Sequence, residues 1–176
     1  WVWAAMPEFA DIIMGQSPPS STYNDEGIGL PFFQGKADFG EVFPTARHWC
    51  SEPSKIATPG DVLMSVRAPV GPTNLADAES CIGRGLCAIR PLGDVPSFYV
   101  LRYLRLIEDQ VAEMGQGSTF TAISRSDVET IQVPLAPLAE QRRIVEKIEA
   151  LFEQSRTARE ALDSIPALLR QFRQSV

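Results

Sequence analysis

The last forty residues, Pro137 to Val176, limit most strongly what this chain can fold into. With Ile144 at heptad position d, an apolar seam runs on through Ile148, Leu151, Ser155, Ala158, Leu162, Ile165, Leu169, Phe172 and Val176. Nine of those ten positions are apolar, and Ser155 is the exception. Steps alternating between four and three, sustained this long, describe a helix packed along one narrow stripe against another helix. About 38 helical residues span roughly 57 Å at 1.5 Å per residue, longer than the diameter of a body built from the rest of the chain. The stripe therefore cannot be buried wholly on its own body. Burying eight large side chains is worth roughly 12–24 kcal/mol gross. A partner helix is implied, from a second copy or from another subunit. Pro166 falls inside the pattern, where proline kinks a helix. The expectation is two helical pieces bent near residues 163–166, the second capped by Ser164.

A length of 176 residues suits one compact domain, residues 1–136, followed by the helical region 137–176. The chain starts without Met and stops in mid-heptad, which reads as a piece of a longer polypeptide. No run approaches the length of a membrane span, and WVWAAMPEF lacks the basic and apolar regions of a signal peptide. Cys50, Cys81 and Cys87 are odd in number and show no CxxC spacing, which points to a reducing cytoplasm. His48 and Cys50 form an HxC pair with no second ligand pair, and they read as structural.

Charge is unevenly spread. Residues 137–176 carry 7 Lys and Arg against 6 Asp and Glu, while residues 1–136 carry 9 against 16, a net −7. An acidic body is not the usual footprint of a nucleic-acid binder. If it touches DNA, a few local basic residues must do so, or a basic partner must supply the rest.

Along the chain, residues 8–15 read as a strand ending at Gly15, followed by a long polar loop to Pro31. Residues 30–43 suggest two short strands, the second near Gly40–Phe43. Pro59-Gly60-Asp61 signals a turn. Residues 61–67 make the best strand of the chain, apolar on both faces until Arg67 and therefore central. Further strands are expected at 72–76 and 86–90, with Gly83-Arg84-Gly85 allowing close backbone approach or a bulge. Val100, Leu104, Ile107, Val111 and Met114 mark one amphipathic helix, begun after Pro96 and ended by Gly115. A glycine loop covers 115–124. Ser124 and Asp127 form a capping-box start for a short helix. Residues 131–135 give a last strand, and Pro137 opens the long helix.

Enzymatic motifs are missing. No GxxxxGK[ST] or GxGxxG pattern is present, and the Ser17-Pro18-Pro19 run is not the tetrapeptide of adenine methyltransferases. His48, the single histidine, sits in a turn-rich segment without partner motifs for a catalytic triad. These features describe a binding module rather than an enzyme.

The order of segments carries a resemblance. A strand ending in GQSP comes first, then PFFQG, then PGDVLMSVRAPVG. GSTFTAISRSDVETIQVPLAPLAEQRRIVEKI and a heptad helix complete the set. The chain resembles one half of the specificity subunit of type I restriction–modification enzymes, over essentially its whole length. Residues 115–148 are the most specific part. Ala136-Pro137 stands where the family usually has Pro-Pro, which leaves the helix start intact. The resemblance implies an α+β fold: a small mixed or antiparallel β-rich recognition body with a few helices, then a long coiled-coil helix. It implies double-stranded DNA as ligand, with each recognition domain reading one half of a split site and paired helices setting the spacing. A 57 Å helix matches the length of about 17 base pairs at 3.4 Å each. Methyltransferase subunits and a restriction motor subunit are the implied partners. S-adenosylmethionine, and ATP with Mg for restriction, belong to those subunits, and no cofactor or metal is expected on this chain. The chain would be an N-terminal half, or a half-subunit that dimerises through Ile144, Ile148, Leu151, Ala158, Leu162, Ile165, Leu169 and Phe172.

Base reading needs donors and acceptors on loops that enter a groove. The exposed loops offer Gln16, Ser17 and Tyr23; Gln34 and Lys36; Arg67; Arg84; and Gln116, Ser118 and Thr119. Arg67 stands out because it projects from a rigid strand end. Lys36 and Arg84 sit beside glycines, where backbone can come close to phosphate. Each of these charges also has a bland reading as solvated surface. The competing function is a coiled-coil scaffold that binds protein only, which would show no salt-sensitive duplex affinity.

Overall fold

The computed structural model describes residues 1–115 and 121–174, with side chains through residue 166. In chain order the strands are β1 (Val2–Ala5), β2 (Ala10–Met14), β3 (Tyr23–Asn24), β4 (Leu30–Phe33), β5 (Trp49–Cys50) and β6 (Ile56–Ala57). They continue with β7 (Val62–Ser65), β8 (Thr73–Leu75), β9 (Ser80–Ile82) and β10 (Leu86–Pro91). Helices α1 (Ser97–Leu106), α2 (Glu108–Met114) and α3 (Arg125–Thr130) follow, then β11 (Gln132–Leu135) and α4 (Leu138–Gln174). The fold is α+β, with mainly antiparallel sheets and a C-terminal helix.

Strand β7 explains the layering. All of Val62–Ser65 is buried, and successive side chains of a strand point to opposite faces. Val62 and Met64 join one core cluster with Cys87 and Ile89 of β10 and Val100, Leu101 and Leu104 of α1. Leu63 joins the other with Leu86 and Ala88 of β10, Phe33, Ala57 and Ile82. The sheet β2-β10-β7-β8, antiparallel throughout, is thus covered by helices on one face. Its other face meets the sheet β3-β5-β4-β9-β6, whose β4–β9 pair is parallel. The central position expected of residues 61–67 is the one found.

The expected turn at Pro59-Gly60-Asp61 anchors this sheet. Asp61 is buried, accepts from the Thr58 N–H at 2.8 Å, and takes both Arg90 donors at 2.8 and 2.7 Å. These bonds hold the Arg90 guanidinium above its ordinary pKa. Cys50, Cys81 and Cys87 are free and buried, and burial pushes Cys87 up to about 12.

Several sequence expectations are corrected. Gly40–Phe43 is not a strand: one bridge joins Phe39 to Pro44, and Pro44 has no N–H with which to extend a ladder. The single helix expected at 97–114 breaks at Ile107 (φ −103°, ψ 16°). There α2 starts against Gly71, whose φ is +108° and whose added Cβ would meet the Glu108 carbonyl oxygen at 2.8 Å. Only glycine suits both conditions. Beyond the break Val111 stays buried, but Met114 is exposed. Val2–Ala5, read as no element, is a strand paired antiparallel with β11, from Val2 opposite Leu135 to Ala5 opposite Gln132.

The long helix follows its start signal, with Glu140 and Gln141 N–H groups bonding the Pro137 carbonyl. It runs without interruption through Pro166 to Gln174, so the two expected pieces are not found. Ser164 does not cap a second piece; its hydroxyl donates back to the Ala161 carbonyl at 2.7 Å, as interior serines do. The root of α4 is tied to the body. Gln141 is buried and donates to the Ala136 carbonyl at 2.7 Å. Arg102 of α1 binds Glu149 at 2.8 Å and lies 4.3 Å from the centre of the Phe152 ring. Among the described residues, no helix is long and apolar enough to cross a membrane.

The Asp61 site gives a stability test. Asp61→Ala leaves the half-exposed Arg90 guanidinium and the Thr58 N–H without their acceptor, and is expected to cost about 1.5–3 kcal/mol. Urea unfolding monitored by tryptophan fluorescence measures it.

Candidate nucleic-acid interface

Four chain segments leave the two sheets at one edge and meet. After β2, Gly15 packs where a Cβ would be 2.2 Å from the Gly83 carbonyl oxygen, and the Gln16 N–H bonds the Ile82 carbonyl at 3.0 Å. That fixes Ser17, whose hydroxyl accepts from the Arg84 N–H at 3.3 Å. After β4, the Gln34 N–H bonds the Asp38 carboxylate at 2.8 Å and closes the Gly35–Asp38 turn. A Cβ on Gly85 would lie 2.2 Å from the Gln34 carbonyl oxygen, so glycine there lets the two segments touch. After β7, the Val66 N–H bonds the Gly85 carbonyl at 2.9 Å, and the Ser65 hydroxyl donates to the Arg67 carbonyl at 3.0 Å.

These contacts enclose a notch of about 200 Å³ lined by Ser17, Gln34, Lys36, Ser65, Arg67 and Arg84. Five of the residues singled out in the sequence, Ser17, Gln34, Lys36, Arg67 and Arg84, are thereby brought together. Gln16 is exposed beside the notch but does not line it. Tyr23 does not line it either. Its hydroxyl donates to the Pro18 carbonyl at 2.8 Å and its ring packs 4.6 Å from that of Phe32, so it shapes the loop. Gln116, Ser118 and Thr119 lie outside the described residues. The chain after them runs beside Arg67: Ala122 bridges Arg67, and Ala68 N–H bonds the Thr121 carbonyl at 3.1 Å. Ser65 and the Asp38 turn were missed in the sequence. Nothing local marks a buried serine or an aspartate as supports of a site made by distant segments.

The charge census is the decisive feature. Of the nine basic residues in 1–136, Arg90, Arg102 and Arg125 pair with carboxylates. Arg47 donates to the Ala37 carbonyl, and Arg105 to those of Glu41 and Thr73. Lys36, Lys55, Arg67 and Arg84 remain, with no side-chain hydrogen bond or ion pair among the described residues. Three of these four line the notch. An acidic body thus keeps three of these four free cations in one place, where an anion can neutralise them. No group of three His, Cys, Asp or Glu among the described residues is placed to hold a metal ion. His48 pairs with Asp25 at 2.6 Å on the surface, while Cys50 is buried against Thr22.

The helix stripe divides in two. Ile144 packs on the body's own core, and Ile148 lies in the groove between α4 and α1. Both positions lie on the side of α4 that faces α1, near the Arg102–Glu149 pair. From residue 151 to 166 the helix is exposed throughout, Ala158 included, with Leu151 52%, Leu162 65% and Ile165 43% accessible. The side chains of Leu169 and Phe172 lie outside the described residues.

Comparison with known proteins places these features. The family model described as "Type I restriction modification DNA specificity domain" matches residues 1–167. A putative type I restriction enzyme MjaX specificity subunit from Methanocaldococcus jannaschii is 46% identical over 145 residues, 82% of this chain and 34% of that protein. The EcoDI specificity subunit of Escherichia coli is 24% identical over the whole chain and 36% of its own length. The crystal structure of the HsdS subunit from Thermoanaerobacter tengcongensis matches with a TM-score of 0.82 at 52% identity, covering 92% of this chain and 39% of that one. A chain from a structure of type I R-M system assembly and conformational transition matches at 0.87 and 51%, covering 99% and 44%. The chain spans about a third of the length of the curated relatives it matches.

The contact between Gly85 and Gln34 can be tested. Gly85→Ala is expected to force the two segments apart and to lower stability by about 1–3 kcal/mol, as overpacking does. Thermal unfolding measures the loss. An unchanged melting temperature would show that the two segments are not pressed together.

Proposed function

The chain belongs to the type I restriction–modification DNA specificity family, and from that premise we propose that it reads one half of a bipartite DNA site. The convergence of Lys36, Arg67 and Arg84 on one notch carries this reading. DNA is a dense line of phosphates, and a few correctly placed cations on an acidic surface suffice to register it while the acidic remainder repels wrong poses. Gln34 and Ser17 add neutral donors and acceptors beside the charges, which base edges require.

The exposed stripe from Leu151 to Ile165 supports a second role. A partner helix, from the rest of a longer chain or from a twin, mates with it and fixes the distance to a second recognition body. Methyltransferase subunits dock on the assembly and carry S-adenosylmethionine; a motor subunit using ATP and Mg performs restriction. The chain itself performs no catalysis, and it works in the cytoplasm of a prokaryote. A scaffold that binds protein only would account for the stripe but gives no reason for three free cations in one notch.

Two measurements test this. Methylome sequencing with and without the gene is expected to show a split motif that appears and vanishes with it. Duplex binding by the full-length subunit with its methyltransferase partners should fall steeply with salt, by counterion release. Salt-independent binding, or no duplex binding at low salt, would favour the scaffold. For the stripe, Leu151→Asp with Leu162→Asp is expected to weaken helix pairing by at least about 3 kcal/mol. Sedimentation, or cross-linking of paired helices, reads it out.

A further inference from the structure

We propose that Arg67 reads a guanine through the O6 and N7 acceptors of its major-groove edge, while Lys36 and Arg84 hold the DNA backbone beside it. This rests on the reading of the notch as the DNA contact, and it assigns different work to three charges that look alike in a census.

The difference lies in how each side chain is mounted. Arg67 leaves the end of β7, and its own stretch of backbone is tied to three other places. Val66 N–H bonds the Gly85 carbonyl at 2.9 Å, and the Val66 carbonyl accepts from Ile123 at 3.0 Å. Ala68 N–H bonds the Thr121 carbonyl at 3.1 Å, and the Arg67 carbonyl accepts the Ser65 hydroxyl at 3.0 Å. Bidentate recognition needs a planar fork held at a defined angle, and a guanidinium on a fixed base supplies it. Guanine presents two acceptors at the matching spacing.

Lys36 and Arg84 are mounted differently. Lys36 begins a short exposed turn after Gly35, a position where an added Cβ meets nothing within 4 Å. Arg84 lies between two glycines on the turn before β10, held through its backbone N–H to Ser17. Both are exposed and without a partner among the described residues. An ammonium on a flexible stem, and an exposed guanidinium between two glycines where backbone can come close, suit phosphates, which accept charge from many directions. They stand on two segments brought into contact at Gly85 and Gln34, and both line the notch that Arg67 also lines.

The test uses the full-length subunit with its methyltransferase partners and a duplex carrying the methylated motif. Each guanine of the half-site read by this chain is replaced singly by 7-deazaguanine, which removes N7 and keeps base pairing. One replacement is expected to weaken wild-type binding roughly 10- to 100-fold. Arg67→Ala and Arg67→Lys should each lose a similar factor on the unmodified duplex, keep their affinity for random duplex, and be indifferent to that replacement. Lys36→Ala and Arg84→Ala should weaken cognate and random duplexes alike, each reducing the slope of log affinity against log salt by about one. Melting temperatures establish that the variants fold. A half-site without a G·C pair overturns the assignment, as does full 7-deazaguanine sensitivity in Arg67→Ala or equal losses on cognate and random duplex. Specific binding by the wild type that none of the three variants disturbs would place the DNA contact elsewhere. No specific duplex binding by the wild type would instead remove the premise of DNA recognition itself.

Discussion

Burial of β7 on both faces is the constraint on which the rest of the structure depends. A strand that packs Val62 and Met64 against helices and Leu63 against a second sheet cannot shift by one residue without turning its whole pattern over. Its register on β10 and β8 is therefore fixed, and so is the point where the chain leaves the sheet. Arg67 stands two residues beyond that point. The rigidity of the core is in this way passed to a surface side chain through a few backbone hydrogen bonds. The Asp61–Arg90 pair at the start of the strand secures its other end.

The long helix depends on the same core through a different contact. Its first turns are clamped by Gln141, Ile144 and the Arg102–Glu149–Phe152 cluster, and from Leu151 to Pro166 every residue is exposed. At 37 residues it is about 55 Å long. A rod clamped at its root and apolar along its free side transmits the position of the body to whatever covers that side. The notch and the rod are thus linked through one packed interior rather than through a flexible linker.

Electrostatics follow an economy of their own. Most of the body's basic groups are consumed in structural work, pairing with carboxylates or capping carbonyls. A net charge of −7 over residues 1–136 would discourage DNA if it were evenly distributed. What counts is the charge left unpaired, and that is local. Composition described the average and could not describe the remainder.

Much of the fold was legible in the sequence because its signals are local. The largely apolar stretch at 62–66 marked a central strand. Ser124 and Asp127 marked the start of α3, where both capping-box bonds form. Pro137 marked the start of α4, and the three-four spacing marked the stripe. Gly83-Arg84-Gly85 signalled a close approach, and Gly85 does meet the Gln34 segment. The break at Ile107 was not legible, because it answers to Gly71 across the fold. Nor was the pairing of β1 with β11, whose partners lie at opposite ends of the body. The helix stripe was readable as apolar, but that Ile144 would pack on the body's own core depended on where α1 lies.

The sequence by itself determined the strand that had to be central, the starts of α3 and α4, and the helix too long to be covered. Each of these is a matter of periodicity and neighbours within a few residues. Only the tertiary structure decided which cations would be left free and that three of them would share a notch. That outcome depends on pairings between residues up to dozens of positions apart, and no spacing rule along the chain records them.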